Sequence, residues 1–310
     1  MKYTVKIALS AVVIGIIVSA GMFSPTTESA QHQIGQSPAV HLSAATVTNG
    51  DVLLLEIDTE ILKPSITDIH INFKGRTYDI FDHPTKEEGI YCALIGMPYR
   101  TKPGLSVVKL QWSEKGENYT EQIPLKVIAG TYKTDVLKVD SRRVNPNQKD
   151  RERAQRERQE LNHIYASGSK ARLWGGLFQL PVEKEITSPF GNKRVFNGQL
   201  KSYHNGVDFR AAEGTPAFAA NSGLVRMAKN LFYSGNVAVI DHGTGIFTIY
   251  AHLDKLKVAA GQQIEKGQLI GLTGATGRVS GPHLHWGVKV TGTAVNPMQF
   301  IDVVSTLVQR

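Results

Sequence analysis

The clearest regularity along this chain is an alternation of apolar and polar residues at period two, in short stretches from Val47 to Ile128. Ile69, Ile71 and Phe73 alternate with His70, Asn72 and Lys74, and Val108, Leu110 and Trp112 with Lys109, Gln111 and Ser113. Ile123, Leu125 and Val127 alternate with Gln122, Pro124 and Lys126. Successive side chains of a strand point to opposite faces, so each stretch predicts a strand with one buried face. Gly75-Arg76 and the run from Glu114 to Asn118 supply turns between them. Short alternating strands joined in this way predict an immunoglobulin-like antiparallel sandwich over residues 44–135.

The pattern then changes twice. From Val144 to Ala166 the chain is rich in Arg, Glu and Gln and, after Asn147, lacks glycine and β-branched runs, which predicts a helix inside a charged linker over residues 142–172. From Trp174 strands and glycines return, so residues 173–310 read as a second β domain. Asn236 to Asp241 and Ile246 to Leu253 form a hairpin across His242-Gly243-Thr244-Gly245. On its return strand Tyr250 and His252 share one face, opposite Phe247, Ile249, Ala251 and Leu253.

The first residues form another class of segment. Lys2 and Lys6 precede an apolar run from Ile7 to Val18, and Val18-Ser19-Ala20 offers the small residues that a signal peptidase cuts. Residues 1–20 therefore read as a signal peptide or a membrane anchor, and either implies export. The length, 310 residues, suffices for two domains after this segment. Cys92 is the one cysteine, which excludes an internal disulfide and a four-cysteine zinc site. The formal charge of +8 fits an anionic envelope polymer; export and the absence of common nucleic-acid motifs argue against nucleic acid as a partner. Between Arg142 and Arg158 seven basic residues face three acidic ones. That segment reads either as a contact with such a polymer or as the solvated face of a linker helix.

Two motifs carry candidate chemistry. His283 and His285 flank Leu284, and on a strand both imidazoles look to one side. His204 and Asp208 lie four residues apart, roughly 13 Å if extended, so both reach one ion only if the chain bends at Asn205-Gly206. Gly206 allows the positive φ that such a bend can require. Two imidazoles and a carboxylate form a usual ligand set for catalytic zinc, with a fourth position left for water. Each motif alone is weak, and HxxxD also reads as a turn cap with Asp208 paired to Arg210. Their joint occurrence in one glycine-rich β segment is what points to a metal.

Over roughly Trp174 to Ile301 the chain resembles the lysostaphin/LytM-type zinc endopeptidases, which cut peptidoglycan peptides. The resemblance rests on Ser188-Pro189-Phe190-Gly191, His204-Asn205-Gly206-Val207-Asp208-Phe209, Gly214-Thr215-Pro216, Tyr250-Ala251-His252-Leu253 and the run from Gly277 to His285. It implies a compact antiparallel β fold with a groove, Zn2+ held by His204, Asp208 and His285, and two catalytic histidines, His252 and His283. The roles of base and oxyanion donor remain open between these two. The implied substrate is peptidoglycan, in the periplasm or cell envelope, and a regulator or adaptor of the envelope is a further partner to look for. The rival is a catalytically inactive relative that binds the wall or activates another hydrolase; such relatives lack ligands, whereas every ligand position here is filled. His242, in its turn, is expected to have no catalytic role.

Overall fold

The alternating stretches fold as strands, and the chain is mainly β. The computed structural model describes residues 39–62, 66–86 and 88–308; the segment read as signal peptide or anchor lies outside them. Among the described residues the N-terminal part holds two sheets. One orders Val40–Leu42, Val52–Asp58, Ile90–Gly96 and Phe81–Asp82; the other orders Thr46–Thr48, Glu117–Ile128, Gly104–Glu114, Ile66–Phe73 and Arg76–Tyr78. Ile71, Phe73, Val108, Leu110, Ile123, Leu125 and Val127 are all buried, so the period-two reading located the inner face. Ile69 and Trp112 are the exceptions, each only partly buried, and Trp112 stacks on Tyr119 with ring centroids 5.7 Å apart. Lys74 and Gly75 both take positive φ, 49° and 74°, as a two-residue hairpin turn that follows the strand twist requires.

The predicted helix spans Gln148–Ala166, capped by the Asn147 side chain, which accepts from the Asp150 amide. Leu161, Ile164 and Tyr165 pack on Met227, Leu231, Val237, Val239 and Phe247 of the C-terminal sheet. Part of its charge is spent inside the molecule. Arg142 pairs with Asp150, Arg153 with Glu157 and the Asn230 side chain, and the Arg143 guanidinium lies 5.0 Å from the centre of the Phe232 ring.

The C-terminal part is one large antiparallel sheet whose path runs Ile186–Ser188, Val207–Arg210, His283–Val290, Ile246–Leu256, Gly235–Gly243, Gly223–Leu231 and Gln263–Ile264. A small three-stranded sheet stands beside it, with Thr134–Leu137 parallel to Lys193–Phe196 and the latter antiparallel to Gln199–Tyr203. The terminal helix Pro297–Val308 ties the two parts together. Gln299 accepts from the Val52 amide and donates to the Val52 carbonyl, each at 2.8 Å, and Phe300, Val304 and Leu307 are buried. The N-terminal sheets and the C-terminal sheet thus share one continuous apolar core. Among the described residues no helix is long and apolar enough to cross a membrane.

Candidate active site

Strand register assembles the candidate residues. Val207–Arg210 pairs with His283–Val290 so that Asp208 faces His285 and Arg210 faces His283, and Ala251 on the next strand also faces His285. All five histidine and aspartate positions singled out from the sequence therefore fall in one neighbourhood. His204 Nε2, Asp208 Oδ1 and His285 Nδ1 lie within 4.8 Å of one another. Nε2 of His204 is 2.9 Å from Asp208 Oδ1 and 3.0 Å from His285 Nδ1, and His285 Nδ1 is 2.9 Å from the same carboxylate oxygen.

The bend between His204 and Asp208 forms as expected, but not for the expected reason. Gly206 is not among the residues with positive φ. Its hydrogen side chain is needed for space: a Cβ would stand 2.4 Å from the Trp286 carbonyl oxygen and 2.8 Å from the His285 ring. The glycine lets its own main chain lie against the facing strand, which brings the two motifs into register.

Second partners orient the candidate ligands. His204 Nδ1 lies 2.8 Å from the Pro189 carbonyl and donates to it, so Nε2 carries the free lone pair towards the cluster. Asp208 divides its oxygens: Oδ1 meets the imidazoles while Oδ2 accepts from Arg194 Nη2 at 2.6 Å. Arg194 in turn reaches Ser188 Oγ at 3.0 Å and lies 3.4 Å from Asp135 Oδ2. Asp135 accepts from Ser188 Oγ at 2.6 Å and from the Asn192 amide at 2.9 Å. No motif includes Arg194, three residues after Gly191, or Asp135, far before it; Pro189 belongs to a motif, but only the fold shows what its carbonyl holds.

The donor set suits zinc. A tetrahedral ion with bonds of about 2.0–2.1 Å sets its ligand atoms roughly 3.3 Å apart, close to the separations here. Burial by itself would raise the Asp208 carboxyl, but the adjoining His204 and His285 rings outweigh it and hold the group well below the usual carboxylate range. Burial pushes His285 down to about 4 against the pull of Asp208.

His283 and His252 flank this cluster. His283 Nε2 is 3.7 Å from Asp208 Oδ1, and Nδ1 donates to the Gly281 carbonyl at 2.9 Å. The His252 ring centroid is 4.9 Å from that of His283 and 5.9 Å from that of His285, and its Nδ1 donates to the Thr276 carbonyl at 2.8 Å. Both neutral rings therefore present Nε2 as an acceptor. The simple alternation expected for the Ile246–Leu256 strand breaks at His252, whose φ is 65°. Burial, with the charges of His283 and His285 adding to it, pushes His252 well below the ordinary histidine value. Arg278 pins the loop that leads to His283, its guanidinium 4.2 Å and 4.5 Å from the ring centres of Phe196 and Tyr233.

His242 plays no part here. It is fully buried, with Nδ1 on the Ser222 carbonyl and Nε2 on Thr248 Oγ1, both at 2.7 Å. One further set among the described residues, Glu56, His83 and Cys92, lies close enough to hold an ion. There His83 Nδ1 accepts the Thr85 and Lys86 amides at 3.2 and 3.1 Å, which puts its proton on Nε2, facing Glu56. Lys86 Nζ already stands 2.6 Å from the Glu56 carboxylate, and burial pushes the Cys92 thiol up to about 12. A proton and an ammonium take the place that a cation would need.

Residues 202–297 match the model of peptidase family M23. Over 122 residues the chain is 49% identical to peptidoglycan DD-endopeptidase ShyA of Vibrio cholerae, covering 38% of this chain and 28% of that protein. Over 117 residues it is 37% identical to DD-carboxypeptidase/endopeptidase Mpg of Neisseria meningitidis, covering 38% of this chain and 27% of the relative. The matched segment thus spans less than a third of these relatives' length. A solved Pseudomonas aeruginosa structure assigned to peptidase M23 superposes with a TM-score of 0.62 at 29% identity, over 82% of this chain and 94% of that one. That coverage extends beyond the residues matched by the family model, so the similarity takes in the N-terminal sheets as well.

Proposed function

We propose that this chain, which belongs to peptidase family M23 through residues 202–297, is a zinc-dependent endopeptidase that hydrolyses peptide bonds of peptidoglycan. The observation that carries the reading is the convergence of His204 Nε2, Asp208 Oδ1 and His285 Nδ1, with His283 and His252 beside them. His204, Asp208 and His285 would hold the ion, which would lower the pKa of a bound water and polarise the scissile carbonyl.

The protein's own groups then handle the protons. His283 is the base: the Gly281 carbonyl fixes its Nδ1 proton, so Nε2 is free to accept a proton from the attacking water. Once protonated, that ring is the acid that returns the proton to the leaving amine. His252 has the same tautomer, held by Thr276, and its ring centroid lies 4.9 Å from that of His283, as the second histidine at which the intermediate is steadied. Arg194 holds the second oxygen of Asp208 and so keeps the first one turned to His204 and His285. The reaction takes place in the cell envelope, where peptidoglycan lies; the Lys2 to Ala20 segment supports export, as a signal peptide or as an anchor. The inactive-relative reading finds no support in a site with every position filled.

The test separates ligands from catalysts. Purified protein is expected to carry about one zinc per chain and to release peptides from wall fragments, identified by mass spectrometry. His204→Ala, Asp208→Ala and His285→Ala lower zinc content and abolish cutting. His252→Ala and His283→Ala keep the zinc and slow turnover by roughly 10²–10⁴-fold. Unchanged zinc in all three ligand variants would overturn the assignment.

A further inference from the structure

The strand Thr134–Leu137 precedes the residues matched by the family model, yet it lines the active site. A hollow of about 530 Å³ has Thr134, Asp135, Val136 and Leu137 among its lining residues, together with the Arg278 to Pro282 loop, Asp208 and His283. On one side the strand pairs in parallel with Lys193–Phe196. Among the described residues its other side pairs with no strand.

The ladder fixes which main-chain groups are committed. The Lys193 amide donates to the Lys133 carbonyl and the Asn197 amide to the Leu137 carbonyl. Main-chain groups on a strand alternate in direction, so Lys133, Asp135 and Leu137 serve this ladder. Thr134 and Val136 turn their N–H and C=O outwards. The strand is held firmly in that position, because the Asp135 side chain accepts from Ser188 and from Asn192. Val136 is 74% exposed, so no packing among the described residues covers this apolar residue.

We infer that this outward edge is a substrate subsite, which binds an extended peptide by adding it as a further strand beside Thr134–Leu137. Main-chain hydrogen bonds to Thr134 and Val136 supply affinity, and the Val136 side chain meets a substrate side chain. An edge strand beside a catalytic centre holds its ligand by the peptide backbone, whatever the side chains. The occupant is the peptide being cut, because the same hollow holds Asp208 and His283. The inference rests on the reading that this site cleaves peptides.

Proline tests it, because it removes one N–H while fitting an edge strand whose N–H points away from the ladder. Val136→Pro is expected to raise KM for a wall peptide about threefold to tenfold, the span of one lost hydrogen bond, with kcat and zinc content retained. Val136→Ala, which keeps the N–H, changes KM by less. Equal KM for Val136→Pro and the parent overturns the inference while leaving the peptidase reading intact; a parent that cuts no peptide overturns the peptidase reading first. If Val136→Pro loses its fold, amide exchange in the zinc-loaded His283→Ala protein decides. Added wall peptide must slow exchange at Val136, and an unchanged rate there overturns the inference.

Discussion

At the scale of the residue, each histidine's task follows from what its second nitrogen touches. His204, His252 and His283 each give one N–H to a backbone carbonyl and so aim the other nitrogen at the site. His242 spends both nitrogens on the fold. Its chemistry makes a pH prediction. Burial pushes His242 down to about 4, whereas the unfolded chain titrates near the ordinary value of about 6.5. Between those values the unfolded state binds the extra proton, so stability is present above about pH 6.5 and is lost as pH falls towards about 4. The contribution is on the order of 3 kcal/mol. Metal-free His242→Gln should therefore show a flatter dependence of Tm on pH than the metal-free parent across that window; parallel curves would show that His242 does not titrate there. The sequence places His242 in a turn and gives it no catalytic role; in the structure it lies near the end of the Gly235–Gly243 strand, with both nitrogens committed to neighbours inside the fold.

At the scale of the element, the site depends on two motifs lying in register across neighbouring strands, and Gly206 sets how closely they approach. Alanine there places a methyl group 2.4 Å from the Trp286 carbonyl, on backbone that has no flexible side chain to yield. Gly206→Ala is expected to force apart Val207–Arg210 and His283–Val290, weaken zinc binding at least tenfold and lower Tm. A competition titration with a chromophoric chelator reads the first effect, and parent-like affinity would show that the strands have room to give. The helix Gln148–Ala166 shows the same dependence on neighbours. Its composition foretold a helix, but a solvated linker face and a packed one have similar charge. What decides is that Leu161, Ile164 and Tyr165 find an apolar surface on the C-terminal sheet. The Arg-rich run consequently has less free charge than its count implies: Arg142 and Arg153 are in ion pairs, and Arg143 lies over an aromatic ring.

At the scale of the whole molecule, the described residues form one body in which the terminal helix clamps the N-terminal sheets to the C-terminal one. Gln299 exchanges two hydrogen bonds with Val52, and Phe300 is fully buried against Phe178 at 5.0 Å between ring centroids. Phe300→Ala is expected to cost about 3–5 kcal/mol, as other large-to-small changes in cores do. Because the core is shared, that loss should lower a single melting transition in which both parts unfold together. Calorimetry checks this: two separated transitions, with only the C-terminal one displaced, would mean that the parts unfold independently. The same union explains why Asp135, which follows the N-terminal sheets in the chain, can brace Arg194 and through it Asp208.

The sequence by itself determined the β character of both parts, the inner faces of the N-terminal strands, the helix and the two motifs, because period, turn chemistry and ligand type are local properties. It also pointed to the right reason for a bend between His204 and Asp208, namely that an extended chain cannot bring them together. Only the tertiary structure decided why Gly206 serves there, since the carbonyl it must admit belongs to Trp286, eighty residues on. The same holds for the tautomers of His204 and His252, fixed by carbonyls at Pro189 and Thr276, and for Arg194 and Asp135 behind Asp208. These are contacts between segments far apart in the chain, and no local pattern encodes a partner that arrives only when the sheets pack.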